Sequence, residues 1–196
     1  MLQQGWQMKI DLDLNKTCVI TNYRTGSTSF VRDNAQKRKM LNYFELLEQY
    51  DIERAELRLI HGPSRFIFKV MPDQFDNDIA QLERLTQCCT EIVYLYRKDF
   101  GAQCRSWIAM QHLQDWNVKP QNSQPVHQTV DIDQAFADKH SLTIRSNNDQ
   151  LTRIHKHLPA PVYAYEDIQD NNPYSRTYDW VYEPYIKPYA TEEMFK

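Results

Sequence analysis

Residues 16–31 read KTCVITNYRTGSTSFV. Cys18-Val19-Ile20-Thr21 is an apolar, β-favouring run. The chain then turns through Asn22-Tyr23-Arg24-Thr25-Gly26 and reaches Ser27-Thr28-Ser29 at the head of a helical pattern. A buried strand that feeds a Gly/Ser/Thr loop opening a helix makes an anion cradle. The free N–H groups of the first helical turn converge there, and the helix dipole favours negative charge. Gly26 permits a positive φ and close approach. The hydroxyls of Ser27, Thr28 and Ser29 add donors, and Arg24 adds a planar fork suited to phosphate or sulfate oxygens. This is not the Walker loop, because no Gly precedes Gly26 at the required spacing and no Lys follows it. An ordinary tight strand–turn–helix with an N-capping Ser is the alternative.

Outward from this stretch, apolar runs alternate with helical patterns. Residues 8–14 suggest a short edge strand and 16–23 the central strand. Helices are expected over 27–39 and over 40–50, where Leu41, Phe44, Leu46 and Leu47 fall at helical spacing. Residues 52–60 are mixed. RFIFKVM at 65–71 reads as a second strand, stopped by Pro72. Residues 76–90 are helical, with Ile79, Leu82 and Leu85 on one face. EIVYLY at 91–96 is a third buried strand, followed by a helix over 100–115. Residues 117–130 are polar and aperiodic, a loop and a candidate lid. Helices over 131–140 and 142–158, separate or kinked, end at Pro159, and VYAYEDI at 162–168 reads as a fourth strand. Such alternation predicts one α/β domain over 1–196, with a core at about 16–168, a Tyr/Pro-rich tail at 169–196, and a mostly parallel central sheet flanked by helices. Ligands of such sheets sit beyond the carboxyl ends of the strands, so the loops after Tyr23, Met71 and Tyr96 are expected to meet.

At 196 residues the chain suffices for one full core. Its formal charge of −3 gives no global basic field, which argues against a nucleic-acid partner and leaves anion binding to local clusters. No apolar run approaches a membrane span, and the amino terminus lacks a charged-then-apolar signal pattern. Four cysteines, Cys18, Cys88, Cys89 and Cys104, lack zinc spacing, and the adjacent pair suits two ordinary bridges poorly. They read as reduced, buried thiols of a cytoplasmic protein. His61, His112, His155 and His157 show no metal or nucleophile partner pattern and read as surface or packing residues.

A second anion grip follows the third strand. Arg97 and Lys98 stand at its end, and the next helix carries Ser106, eight residues after Lys98. Strand end and helix face can hold a second phosphate between them. Together the two grips resemble those of sulfotransferases that use 3′-phosphoadenosine 5′-phosphosulfate (PAPS). In that family a cation, small residues, Gly and a Ser/Thr pair bind the 5′-phosphosulfate, and an Arg with a Ser eight residues later binds the 3′-phosphate. Tyr165-Glu166-Asp167-Ile168 is similar to the family's late YEDL strand, with Glu166 and Asp167 expected to cap or pair the loops. The resemblance covers about 17–167 and is closest in motif to bacterial trehalose-type and carbohydrate sulfotransferases. Lys98 departs from the usual Arg, so Arg97, Lys98 or both are candidates for the 3′-phosphate.

The resemblance implies a three-layer fold of the P-loop NTPase type and sulfuryl transfer from PAPS to a hydroxyl or amine, with the 3′,5′-bisphosphate (PAP) as product and no metal. Arg24, Thr25, Gly26, Ser27, Thr28, Ser29, Arg97, Lys98 and Ser106 would bind the nucleotide. Arg24 would neutralise the leaving group, Glu45 would be the general base, and Lys69 would hold a sulfonate oxygen. Met71 stands near the position of the family's alternative His base, which favours Glu45. Glu45 on a solvated helix face and Lys69 on an exposed strand face are the ordinary readings of the same residues. The acceptor, a small molecule or a carbohydrate, is not written in the sequence, and neither is the oligomeric state. The Tyr-rich tail with Trp180 either stacks on adenine or wraps the core, and Arg176 is a weak candidate for the 3′-phosphate. A nucleotide-binding module without catalysis, or a kinase-like phosphotransferase, would use the same scaffold.

Overall fold

A computed structural model describes residues 16–75, 78–114, 128–168 and 178–195. The expected edge strand at 8–14 and the candidate contact Arg176 lie outside these residues, as do 117–127 of the expected loop. In chain order the elements are β1 (Lys16–Thr21), α1 (Ser27–Arg38), β2 (Leu41–Glu45), α2 (Leu46–Gln49), α3 (Ile52–His61), β3 (Phe66–Val70), α4 (Ile79–Thr86), β4 (Glu91–Tyr96), α5 (Phe100–Leu113), β5 (Gln128–Val130), α6 (Gln134–His157), β6 (Val162–Ala164), α7 (Tyr165–Ile168) and β7 (Tyr178–Trp180). Short 3₁₀ turns occupy Pro72–Phe75 and Thr191–Glu193.

Five strands form one sheet in the order β2-β3-β1-β4-β6, and every pairing is parallel. Strands buried on both faces read as continuous apolar runs, which is why β1, β3 and β4 are legible as strands. Side chains alternate across the sheet. Cys18, Ile20, Phe66, Phe68, Val70 and Tyr94 enter a core with Leu59 of α3, Leu82 and Leu85 of α4, and Leu151 and Ile154 of α6. Val19, Ile67, Val93 and Leu95 enter a second core with Phe30, Val31 and Ala35 of α1. A third apolar cluster joins α5 to α6 through Phe100, Trp107, Ile108, Ala137 and Ile144. Neither face is solvated, as a parallel sheet with crossover helices requires.

The segment 40–50 departs from expectation. It is a strand followed by one helical turn, not a helix. β3 is wholly buried, and without β2 its outer row of N–H and C=O groups would have no partner. The need to cover that edge overrides the helical spacing of the apolar residues. At the edge, Leu41 remains 48% exposed. Residues 52–60 form a helix, capped by Asp51, whose side chain accepts from the Arg54 N–H. Residues 131–140 and 142–158 are not two helices. A single 24-residue helix spans them, with neither Gly nor Pro inside, and Ser141 returns its hydroxyl to the Asp138 carbonyl instead of breaking the ladder. The fourth strand ends at Ala164, after which Tyr165–Ile168 turn helically. Gln128–Val130, expected as loop, pair in parallel with Tyr178–Trp180.

The tail returns to the core: Met194 is buried in the cluster of Tyr94 and Leu151, and Phe195 and Tyr189 pack against that cluster. The core therefore extends past residue 168. All four cysteines are free thiols, but only Cys18 and Cys104 are buried; Cys88 and Cys89 are half-exposed. His155 packs edge-on against Tyr94. Among the described residues, no helix is long and apolar enough to cross a membrane.

Candidate functional site

The order β2-β3-β1-β4-β6 reverses direction at β1. The connection through α1 leads to one side of β1 and the connection through α5 to the other, and they leave a crevice at the carboxyl ends of β1 and β4. The loop after β1 lies there, and it is held from below. Asn22 is fully buried and its Nδ2 donates to the Ile144 carbonyl (2.9 Å) and to Asn148 Oδ1 (2.7 Å) in the middle of α6. Its Oδ1 accepts from the Tyr23 N–H at 2.6 Å. Thr21, Thr25 and the Asn22 carbonyl close a further set of hydroxyl bonds beneath the loop. Thr25 is thus turned inward, where it stiffens the turn and offers its backbone, not its hydroxyl, to a ligand.

Above this base the backbone is unusual. Arg24 has φ 57° and Gly26 φ 73°, both left-handed. A positive φ costs a non-glycine residue about 1–2 kcal/mol, so the conformation at Arg24 is imposed by the surrounding bonds. Left-handed residues in a turn aim successive N–H groups to one side, a concavity suited to anions. The start of α1 strengthens it. α3, α4, α5 and α6 each begin with an Asp whose side chain caps the first turn. α1 begins with Gly26, with no side-chain cap and no acidic residue in its first turn. The N-capping Ser is therefore not what this loop uses. The positive end of α1 is left to Ser27, Thr28 and Ser29. Ser27 and Ser29 are buried, whereas Thr28 is half-buried and accepts from Lys69 Nζ at 3.2 Å.

The two expected grips lie side by side. Arg24 Nε donates to Ser106 Oγ at 2.8 Å, and Arg97 Nη1 donates to the Arg24 carbonyl at 3.4 Å. Lys98 turns away: its Nζ meets Asp167 at 2.5 Å, with half of its side chain in solvent. Burial opposes its charge, but the bond to Asp167 outweighs that and holds the ammonium above its ordinary range. Glu166 accepts from the backbone N–H of Lys98 (2.9 Å) and of Asp99 (3.2 Å), which fixes the start of α5. Arg97, lying over the Tyr165 ring and 3.6 Å from Glu166, is the cation nearer the loop. The Tyr165 ring itself lies on Gly26: a Cβ there would fall 2.0 Å from its Cε2.

On the other side of the loop stand the acid–base groups. Glu45 ends β2 and Lys69 precedes the end of β3, paired in the sheet register, and their side chains form an ion pair. Lys69 is 5% exposed, which excludes the exposed-strand reading. Burial pulls the Lys69 ammonium below its ordinary range, with Glu45 acting against that. Glu45 is raised by burial, but a hydrogen bond with Glu48 and the charge of Lys69 prevail and leave it below the usual carboxylate range. Tyr23 stacks on Trp107 at 4.2 Å and donates its hydroxyl to Asp73 in the turn after β3 (2.5 Å). The loops after β1, β3 and β4 thus share one end of the sheet.

Asn148 carries no signal in the sequence and reaches the loop only through tertiary contact. Asp73, just after β3, is readable from the sequence as a contact to acceptor hydroxyls, but its bond to Tyr23 is not. No family model matches the chain, and no curated protein is recognisably similar to it in sequence.

Proposed function

We propose that this protein transfers the sulfuryl group of PAPS to a hydroxyl or amine acceptor, on a P-loop NTPase-like scaffold. The observation that carries the reading is the Arg24–Ser106 hydrogen bond, at 2.8 Å. It brings together the two expected anion grips, which lie 82 residues apart in the chain. The uncapped start of α1 and the central position of β1 support it further.

In this reading the 5′-phosphosulfate lies against the backbone N–H groups of residues 24–29, and the 3′-phosphate lies between Ser106 and Arg97. Lys98 reaches it only by leaving Asp167. Positioning and electrostatics supply most of the catalysis, as in phosphoryl transfer. The acceptor approaches from the side of β2 and β3. Its O–H proton passes to Glu45, a bond forms from its oxygen to sulfur, and the bond from sulfur to the 5′-phosphate oxygen breaks with its electron pair. Arg24 neutralises the charge that develops on the phosphate, and Lys69 holds a sulfonate oxygen together with Thr28.

Adenosine 3′,5′-bisphosphate is expected to raise the melting temperature without Mg²⁺. Glu45→Gln is expected to lower the release of this bisphosphate from PAPS by about 10²-fold or more while leaving its affinity unchanged. Stabilisation by ATP only with Mg²⁺, and none by the bisphosphate, would overturn the proposal.

A further inference from the structure

The tail after β7 has no part in the steps above, yet it is fastened to the segment that carries the second grip. Residues 97–99 join β4 to α5, so their backbone sets how Arg97 stands to Ser106. A short connection keeps one shape when its polar groups are satisfied in that shape. At Lys98 they are. Its N–H donates to Glu166 at 2.9 Å, and its carbonyl accepts from the Phe100 N–H at 3.0 Å and from Thr191 Oγ1 at 2.7 Å. Glu166 follows β6 directly, whereas Thr191 comes from the tail, 93 residues after Lys98, and is buried. Thr191 is itself fixed. It opens the 3₁₀ turn Thr191–Glu193, and residues on both sides of it pack on the same junction. Before it, the Tyr189 ring lies 5.0 Å from that of Phe100, the first residue of α5. The Arg145 guanidinium lies over both rings, and Tyr189 donates to Asp149 of α6 at 2.7 Å. After it, the Phe195 ring packs on Tyr96 at 5.3 Å and on Tyr94 at 6.0 Å, both in β4. The tail thus holds the end of β4 and the start of α5 together.

We infer that Thr191 is a positioning residue for the second phosphate: through the Lys98 carbonyl it holds Arg97 and Ser106 in the arrangement that takes a 3′-phosphate. The inference rests on the reading of those two residues as the 3′-phosphate grip. It gives the tail a part in nucleotide discrimination without contact to the nucleotide. Phosphate oxygens are held by directed N–H and O–H bonds, and such bonds weaken steeply when a donor is misplaced. Without the Thr191 hydroxyl, the Lys98 carbonyl keeps its bond to the Phe100 N–H, so the fold survives. The junction then loses its tie to the tail, and Arg97 shifts against Ser106. The 5′-phosphate lies on another loop, after β1, which Asn22 fixes to α6.

Equilibrium titration with two probes tests this. Adenosine 3′,5′-bisphosphate reaches both grips, and adenosine 5′-phosphate reaches only the first. Wild type is expected to bind the bisphosphate at least about 10-fold more tightly. Thr191→Val keeps the outline of the side chain and removes the hydroxyl. It is expected to lower affinity for the bisphosphate about 5-fold or more, while affinity for the 5′-phosphate stays within about 2-fold of wild type. Thr191→Ser returns the donor and is expected to restore the discrimination. A purely structural role would lower both affinities together, and retained binding of the 5′-phosphate shows that the variant is folded. Equal loss of both affinities, unchanged discrimination in Thr191→Val, or failure of Thr191→Ser to restore it overturns the role of Thr191 and leaves the transferase reading standing. If wild type binds the two probes equally, or binds neither, the second grip and the transferase reading fall and take this role with them.

Discussion

At the scale of single residues, the loop after β1 depends on Gly26 in two ways. Its φ of 73° is strained for any L side chain, and the Tyr165 ring already occupies the space a Cβ would need. Gly26→Ala is therefore expected to displace Tyr165 or flatten the turn. Either outcome spoils the convergence of N–H groups at the start of α1. Calorimetric titration should show at least a 10-fold loss of affinity for adenosine 3′,5′-bisphosphate, or about 1.4 kcal/mol. Thermal melting should show a stability loss of about 1–2 kcal/mol from the backbone alone. Pairing Gly26→Ala with Tyr165→Ala separates the two causes: recovery of stability but not of affinity assigns the first to the ring and the second to the loop. Full affinity in the single variant would mean that the loop is not where the anion sits.

Between elements, the clamp of Asn22 on α6 is what sets the loop at its height above the sheet. Asn22→Ala would leave the Asn148 Oδ1 without its donor in a buried site and take from the Ile144 carbonyl the donor it has besides its helical N–H, at a cost of about 1–3 kcal/mol. Asn148→Ala removes only one of those bonds and is expected to cost less. Urea unfolding of the two variants measures the difference, and equal, near-zero losses would refute the clamp. This scale also explains what the sequence could and could not disclose. β1, β3 and β4 are central strands, and their β-branched and aromatic runs announce them without help from the rest of the chain. β2 is an edge strand whose apolar residues also suit a helix, and only the exposed flank of β3 decides between the two. The loop after β1 was legible as a strand–turn–helix junction because its parts are consecutive. Glu45, Lys69 and Ser106 were legible as separate candidates. The bonds from Asn22 to α6 and from Tyr23 to Asp73 were not, since they depend on how α6 and the turn after β3 lie across the sheet. Arg97, Lys98 or both were expected at the second phosphate, and a carboxylate 69 residues later competes for Lys98.

For the molecule as a whole, the question is whether the last residues belong to the cooperative unit or merely lie on it. They touch the site's supports at several points. Thr191 Oγ1 donates to the Lys98 carbonyl at 2.7 Å, Tyr189 donates to Asp149 at 2.7 Å, and the Arg145 guanidinium lies over the Tyr189 ring. Met194 is 4% exposed, within the cluster that includes Tyr94 of β4 and Leu151 and Ile154 of α6. The preceding ribbon, β5 with β7, is only three residues long in each strand and has little stability of its own. If the tail were peripheral, truncating Met194 would cost almost nothing, because the tail could detach without disturbing β4 or α6. If it closes the core, Met194→Ala removes a buried side chain from a site that cannot collapse, at a cost of about 2–5 kcal/mol. The second outcome is expected in urea unfolding, with an unchanged m-value. Because Thr191 anchors the Lys98 carbonyl at the start of α5, the same variant should also speed amide exchange at 99–102 relative to the centre of β1. A loss below about 0.5 kcal/mol would instead place the tail outside the folded core.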